Sequence, residues 1–250
     1  MKIIVVGCLP IALALAAAAA GAQCIKVPVP GVDGTEKVCH TAYTALYDPK
    51  LQDPRLVAYE LTGPHTLGCV PRASGFHAEG DSAKASAYNG TGYDLGHMDP
   101  AQDNAWDEAV SKDSFSMVNV APQLPGLNRQ EWERLEEEVR AWALARGKLD
   151  VYVGPEFGKK DKKISGVDVP TAFFKIVVDE KTGEVLAFEM PQRDLAKGDL
   201  GPFFSTVASI EALTGIKFPH AVETAKRPKD IWDADLAGWH AAHKKACGKD

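Results

Sequence analysis

Residues 93–100, YDLGHMDP, place an acid and an imidazole three positions apart around a glycine. His97 could take a proton from a water molecule, because an imidazole with a pKa near 6.5 is largely neutral at pH 7. It could equally be a hydrogen-bonded histidine at the end of a strand. Between Asp94 and Gly96 stands Leu95, which is apolar where a site for an anion would place a cation. The chemistry of this stretch therefore depends on what the rest of the chain brings to it.

An amphipathic segment, LNRQEWERLEEEVRAWALARG at residues 127–147, predicts the clearest helix of the chain. Asn128, with a glutamate three residues on, has the pattern of an N-cap, and Gly147 has that of a C-terminal stop. Asn128, Glu136 and Arg140 are spaced so that they share one stripe of the helix. The adjacent apolar face is predicted to pack into the core and consists of Trp132, Leu135, Val139 and Trp142. Taken singly, Glu136 and Arg140 could be only a surface ion pair of about 0.3 to 0.5 kcal/mol.

Apolar and alternating runs predict the other elements. Strands are predicted in PRLVAYELTG, SFSMVNVAPQ and LDVYVGPEFG, and a hairpin in PTAFFKIVVDEKTGEVLAFEMPQ with its turn at residues 181–183. A short helix or helical loop is predicted in DPAQDNAWDEAVSKD, and a helix in FFSTVASIEALTG. This order predicts an α+β fold with a mixed, mainly antiparallel central sheet and helices. The chemically interesting residues fall on two strands and the helix that follows them.

The chain begins with a lysine and an alanine-rich apolar run that ends in Ala20-Gly21-Ala22. This pattern is typical of a secretory signal peptide over residues 1–22, cut after Ala22. A membrane anchor is the less favoured alternative, because no basic stop follows the run. Residues 23–250 have a length suited to one domain. We expect the protein to be exported to the periplasm or the medium, with no membrane contact after cleavage.

Four cysteines follow the predicted cleavage site: Cys24, Cys39, Cys69 and Cys247. An even number in an oxidising compartment favours two disulfides over free buried thiols, and the sequence leaves all three pairings open. If LAGWHAAHKKAC is helical, His240, His243 and Cys247 share one face and could bind zinc. A surface helix fixed by a disulfide at Cys247 is the favoured alternative.

The charge balance excludes binding of polyanions by bulk charge. Asp and Glu number 34 against 28 Lys and Arg, a formal net charge of −6. Proteins that hold nucleic acid by overall charge are basic. If this chain acts on nucleic acid, it needs a local basic site and, we expect, a metal ion.

With these residues in place, the chain resembles the DNA/RNA non-specific endonucleases, the Serratia-type nucleases of the ββα-metal (His-Me finger) superfamily. The matching motifs are Asp94-Leu95-Gly96-His97, then NVAPQ at residues 119–123, then the helix with Asn128 and Glu136. The similarity spans about residues 43–220. It implies a ββα-metal finger within a single nuclease domain over residues 23–250, acting on DNA and RNA.

The resemblance also implies a role for each motif residue. His97 would be the general base that takes a proton from an attacking water, a contribution of typically about 10² to 10⁴ in rate. Asn128 would bind a hydrated Mg²⁺ through its amide oxygen, with Mn²⁺ able to substitute. Glu136 would accept hydrogen bonds from the waters of that ion. The site would thus have one protein ligand to the metal.

The remaining family-like residues would serve the phosphate and the backbone. Arg140 would stand near the phosphate, Asn119 would help to hold the site, and Asp94 would orient the local backbone and water. Leu95 departs from the family, where an arginine contacts the phosphate. Losing such a charge-assisted hydrogen bond costs on the order of 1.5 to 3 kcal/mol.

Another cation could replace the missing arginine. Arg72 is the best candidate, because it lies in the loop before the motif where relatives also carry an arginine. Lys84, Arg129 and Arg134 are weaker candidates. The alternative function is that of a catalytically impaired relative that binds nucleic acid or protein, which Leu95 and the acidic balance suggest. The joint presence of the motif residues favours the endonuclease.

Overall fold

A six-stranded antiparallel sheet lies at the centre of the computed structural model, which describes residues 24–158 and 162–248. The strands are β1 (Glu36–Cys39), β2 (Tyr43–Asp48), β3 (Asp53–Thr62), β4 (Asp94–His97), β5 (Val120–Gln123), β6 (Lys148–Glu156), β7 (Lys163–Ile164), β8 (Val167–Asp168), β9 (Ala172–Asp179) and β10 (Glu184–Pro191). The large sheet has the order β1-β2-β3-β6-β9-β10, with every neighbouring pair antiparallel.

Helices flank the sheet. They are α1 (Glu108–Asp113), α2 (Glu133–Arg146), α3 (Val207–Thr214), α4 (His220–Glu223) and α5 (Leu236–Ala246). Helix α2 presents its predicted apolar face to one side of the sheet, and Trp132, Leu135, Val139 and Trp142 are all buried there. A second buried cluster includes Ile210 of α3 and Phe218. The α+β prediction is confirmed, and burial of both faces of the sheet explains its strongly apolar strands.

A small hairpin carries the sequence motif. Strands β4 and β5 pair antiparallel, with His97 opposite Val120, and the polypeptide then enters the helix that continues as α2. This is the predicted strand-strand-helix unit. Met98 N–H donates to the Asn119 carbonyl at 2.9 Å, which extends the pairing by one residue beyond β4. The hairpin therefore holds His97 close to the start of the long helix.

The start of the long helix differs from the prediction. Residues Leu127–Trp132 form a π-helical segment that runs directly into α2, and Asn128 lies inside its first turn rather than at an N-cap. The predicted cap at Asn128 is therefore wrong, and Glu131 instead accepts a hydrogen bond from Gly198 N–H at 2.7 Å. The predicted stop is confirmed, because Gly147 ends α2 with a φ of 95° that favours glycine.

Two disulfides join Cys24 to Cys39 and Cys69 to Cys247. The prediction of two disulfides is confirmed and the pairing is now assigned. Because Cys247 is bonded to Cys69, the zinc-site alternative is wrong. No helix among residues 24–158 and 162–248 is long and apolar enough to cross a membrane. The predicted signal peptide lies outside the described residues, and the single domain over residues 23–250 stays a prediction.

Candidate active site

A cavity of about 590 Å³ opens beside the β4–β5 hairpin. The hairpin, the start of the long helix, the loop before β4 and helix α5 all contribute to its walls. The lining side chains are Arg72, Phe76, Asp94, Leu95, His97, Pro100, Ala101, Gln102, Asn128, Arg129, Glu133, Glu136, Glu137, Arg140, Trp239 and His243. The cavity therefore collects every predicted site residue except Asn119.

His97 ends β4 and faces the cavity with 9% of its surface exposed. Its Nε2 is buried and has no hydrogen-bond partner among the described residues. The rings of Phe76 and Phe115 flank the imidazole at centroid distances of 5.1 and 5.0 Å. Burial, and then the nearby charge of Arg72, lower the pKa of His97 from 6.5 to about 3. The expected ordinary pKa is thus wrong, and the neutral, proton-accepting ring dominates far below pH 7.

Gly96 is required by the packing of the hairpin. A Cβ atom on Gly96 would lie 2.7 Å from Gln123 Cβ and would also collide with the side-chain amide of Gln123. Gln123 is fully buried on the paired strand. The glycine of the motif therefore allows the two strands to approach closely enough to place His97.

Asp94 orients Asn128. The Asn128 amide donates through Nδ2 to Asp94 Oδ2 at 2.9 Å. Arg129 donates to the same carboxylate through Nε at 2.7 Å and through Nη2 at 2.5 Å. Burial raises the pKa of Asp94, but these hydrogen bonds outweigh it and the net shift is downward. With its nitrogen committed to an anion, the Asn128 amide keeps its oxygen as an acceptor, the hard donor that fits Mg²⁺.

Glu136 follows Asn128 by eight residues along the helix and also lines the cavity, with 15% of its side chain exposed. Burial raises the pKa of its carboxyl to about 7, although the charges of Lys175 and Arg140 oppose this. Lys175 is fully buried, 4.0 Å from Glu136 Oε1 and 4.7 Å from the centre of the Trp132 ring. Lys175 was not predicted from the sequence, because it lies within the apolar run of β9.

Arg140 reaches the cavity already paired. Its Nη1 donates to Asp103 Oδ1 at 2.9 Å, and only 4% of the residue is exposed. The guanidinium carbon lies 5.0 Å from the centre of the Trp239 ring. The alternative of a surface ion pair between Glu136 and Arg140 is therefore wrong, since a buried ion pair with Asp103 takes its place. Asp103 precedes Arg140 by 37 positions, so helical spacing could not have indicated it.

Asn119 supports the site from behind. Its Oδ1 accepts from Asp99 N–H at 2.8 Å, and its Nδ2 donates to the carbonyls of Asp99 and Ser114, each at 2.9 Å. The side chain is fully buried and does not line the cavity. Asn119 is therefore placed to hold the backbone that follows His97, and it does not face a substrate.

Among the candidate cations that line the cavity, Arg72 is the one for which the described residues provide no carboxylate partner. It lines the cavity with its guanidinium 5.1 Å from the centre of the Phe115 ring. Arg129 also lines the cavity but is bound to Asp94. Arg134 pairs with Glu138 at 3.0 Å, and neither Arg134 nor Lys84 lines the cavity. In the part of the chain that the structure describes, no group of three or more His, Cys, Asp or Glu is arranged to hold a metal.

Comparisons with known proteins identify the family of the chain. The chain matches the model of the DNA/RNA non-specific endonuclease family over residues 20–225. It is 32% identical to mitochondrial Endonuclease G of Bos taurus over 217 residues, which cover 77% of this chain and 71% of that protein. The mitochondrial Nuclease 1 of Schizosaccharomyces pombe is 28% identical over 227 residues, which cover 80% and 70% of the two chains.

A solved structure of the EndoG/EndoGI complex shares the fold. Its TM-score is 0.72 at 23% identity, covering 80% of this chain and 91% of that one. Together with the family match, this confirms the resemblance that residues 94–97 and 119–123 first carried, and it confirms the fold class. Helix α5, which walls one side of the cavity, lies beyond the matched range of residues.

Proposed function

Because the chain belongs to the DNA/RNA non-specific endonuclease family and is therefore a nuclease, we propose that it cleaves phosphodiester bonds of both DNA and RNA at the cavity around His97. The family is metal-dependent, and the fit of one amide oxygen supports Mg²⁺ as the ion, with Mn²⁺ able to replace it. The observation that carries the proposal is the Asp94–Asn128 hydrogen bond beside a neutral His97 with a free Nε2.

His97 acts as the general base. A phosphodiester resists attack, since its negative charge repels nucleophiles and its alkoxide leaving group is poor. The neutral ring accepts the proton of a water molecule through Nε2 as that water attacks phosphorus. Phe76 and Phe115 keep the ring in place and exclude competing hydrogen bonds. Asn119 fixes the adjoining backbone, so its contribution is to position the base.

Asn128 would hold the hydrated Mg²⁺, and Glu136 would accept hydrogen bonds from its waters. When bound, the ion supplies positive charge to the phosphate and to the leaving oxygen. Asp94 accepts a hydrogen bond from Nδ2 of Asn128, which leaves the amide oxygen as the atom that would bind the ion. Lys175 lies under Glu136 and favours its ionised form.

Arg72 would contact the phosphate in place of the arginine that Leu95 replaces. Its guanidinium is the cavity cation without a carboxylate partner in the described residues, so no ion pair must break before it binds. Arg140 would stand near the phosphate in a fixed position, since Asp103 and Trp239 hold it. These side chains would contact the phosphate, which DNA and RNA share, and this supports action on both nucleic acids.

Export to the periplasm or the medium belongs to the same proposal. The signal-like residues 1–22 and the two disulfides support it, because disulfides persist in oxidising compartments. The relatives compared above are named as mitochondrial, so the compartment differs from theirs under this proposal.

The test is nicking of supercoiled plasmid as a function of Mg²⁺ concentration. We expect activity with Mg²⁺ or Mn²⁺, none with EDTA, and at least a 100-fold loss in Asn128→Ala. Asp94→Asn should raise the Mg²⁺ concentration for half-maximal activity about 10- to 100-fold, since it frees the amide it oriented. Asn89→Ala, an exposed asparagine outside the cavity, is the matched control. Nicking that EDTA does not affect contradicts the proposal, and nucleic-acid binding without nicking under either ion favours the impaired relative.

A further inference from the structure

Helix α5 forms one wall of the cavity, although it lies more than ten residues beyond the part of the chain that the family model matches. Two of its side chains, Trp239 and His243, line the cavity. The N-cap of the helix is Asp235, whose side chain accepts from Gly238 N–H, and its C-cap is Cys247. Without helix α5, the cavity would therefore lack one of its walls.

The first contact of α5 with the site is through Trp239. The indole is only 5% exposed, and its Nε1 donates to the Thr66 carbonyl at 3.3 Å. The Arg140 guanidinium carbon lies 5.0 Å from the centre of its ring, which is a cation–π distance. Arg140 has one hydrogen bond, to Asp103, and its buried Nε has no partner among the described residues. Trp239 therefore contacts the Arg140 guanidinium in addition to the hydrogen bond from Arg140 to Asp103.

The second contact fixes the segment that carries Arg72. His243 Nε2 donates to the Gly68 carbonyl at 3.0 Å, and the next residue, Cys69, is joined to Cys247. Arg72 follows Cys69 by three positions. Along residues 69–77, the backbone N–H groups with a backbone hydrogen bond are those of Val70, to Ala105, and His77, to Phe115. The position of Arg72 between these anchors thus depends on the attachment at Cys69.

We propose that helix α5 is a positioning element of the active site, which sets the affinity for the substrate phosphate by holding Arg140 through Trp239 and Arg72 through the Cys69–Cys247 disulfide. This inference rests on the proposed nuclease function. Helix α5 takes no part in the chemical step itself. Loss of the bond between α5 and Cys69 should therefore weaken substrate binding and leave proton transfer at His97 largely intact. Reduction by a phosphine breaks the sulfur–sulfur bond and yields two thiols. Phosphorus supplies the two electrons, water supplies the two protons and the oxygen of the phosphine oxide, and oxidation restores the disulfide.

The experiment uses the Cys24→Ser/Cys39→Ser protein, in which Cys69–Cys247 is the disulfide that remains among the described residues. The kinetic constants kcat and KM are measured on a single-stranded DNA oligonucleotide before reduction by a phosphine, after it, and after reoxidation. Circular dichroism melting of each sample shows whether it is folded at the assay temperature. We expect reduction to raise KM about tenfold, the equivalent of one charge-assisted contact, with kcat changed less than about threefold and full recovery on reoxidation.

Trp239 gives a second test that is independent of the cysteines. Trp239→Ala should raise KM several-fold, and Trp239→Phe, which restores a ring beside Arg140, should recover most of the loss. An unchanged KM in the reduced protein and in Trp239→Ala overturns the proposal. So does unfolding on reduction, because the disulfide would then serve the whole fold rather than the site. Failure of the nuclease function itself would appear differently, as absence of cleavage in the oxidised wild type.

Discussion

At the scale of single residues, the cavity shows how an acidic protein can still present positive charge to a phosphate. Asp94 is bound by Arg129, Arg140 by Asp103, and Glu133 by Lys197 at 2.9 Å. Each of these pairs is neutral as a unit, so the free guanidinium of Arg72 dominates the local field near His97. The same charge helps to keep the imidazole neutral, which couples the phosphate contact to the base.

The Arg72 contact can be tested against the departure at Leu95. Removing a charge-assisted hydrogen bond should raise KM at least about tenfold in Arg72→Ala. Because Leu95 lines the cavity on the same face of β4 as His97, Leu95→Arg should restore binding in the Arg72→Ala background and change it less than about threefold in the wild type. A double-mutant cycle of KM values on single-stranded DNA measures the coupling.

Arg134→Ala serves as the control for this cycle, since its guanidinium pairs with Glu138 outside the cavity. Additive effects of Arg72→Ala and Leu95→Arg would mean that the two positions bind different groups. Wild-type affinity in Arg72→Ala would remove Arg72 from the proposed site.

At the scale of elements, the sequence predicted the strand-strand-helix unit and the buried face of α2, because both depend on local periodicity. It mispredicted the cap at Asn128, since the asparagine and its glutamate fit a capping box while tertiary contacts with Asp94 and Gly198 take both side chains. Lys175 could not be predicted, because a single cation in an apolar strand gives no local signal of a role in the site. The contribution of α5 was also out of reach, because its contacts cross more than 100 residues.

The contacts of His40 with two carboxylates make the free energy of unfolding depend on pH. His40, in the β1–β2 turn, contacts Glu79 at 2.9 Å and Asp113 of α1 at 3.5 Å. Burial lowers the pKa of His40, but the two carboxylates outweigh it, so the folded pKa lies above 6.5. The hydrogen bond from His40 is the main cause that lowers the pKa of Glu79 below 4.5.

The sign of the effect follows from these directions. The His40 contribution is fully present below the unfolded pKa of 6.5 and is lost as the pH rises through the raised folded pKa. The Glu79 contribution is present above 4.5 and is lost as the pH falls through the lowered folded pKa. We therefore expect urea titrations to show a larger difference in unfolding free energy between wild type and His40→Gln at about pH 5.5 than at about pH 8.5. A difference that grows with pH would contradict the pairing.

At the scale of the whole molecule, a formal net charge of −6 limits how nucleic acid can bind. The protein is therefore expected to contact only two or three phosphates of the nucleic acid, around the cavity, rather than to bind it along an extended basic surface. For single strands, the logarithm of the binding constant falls as the logarithm of the salt concentration rises, with a slope of about −0.7 for each phosphate that the protein neutralises. We expect the logarithm of the dissociation constant to rise with the logarithm of salt concentration with a slope of about 1.5 to 2.

Fluorescence anisotropy of a labelled single strand, with EDTA present to prevent cleavage, measures this slope. Arg72→Ala should lower it by about 0.7, because one phosphate contact is lost. A slope of about 5 or more would reveal an extended basic surface and would contradict a contact confined to the cavity.

The most direct test of the account is cleavage by His97→Ala of single- and double-stranded DNA and RNA with Mg²⁺, beside wild type and the exposed-histidine control His220→Ala. Loss of a positioned general base should lower kcat/KM about 10² to 10⁴-fold on all four substrates, with the melting temperature and nucleic-acid affinity retained. His220→Ala should match wild type. Equal cleavage by wild type and a folded His97→Ala would contradict the account.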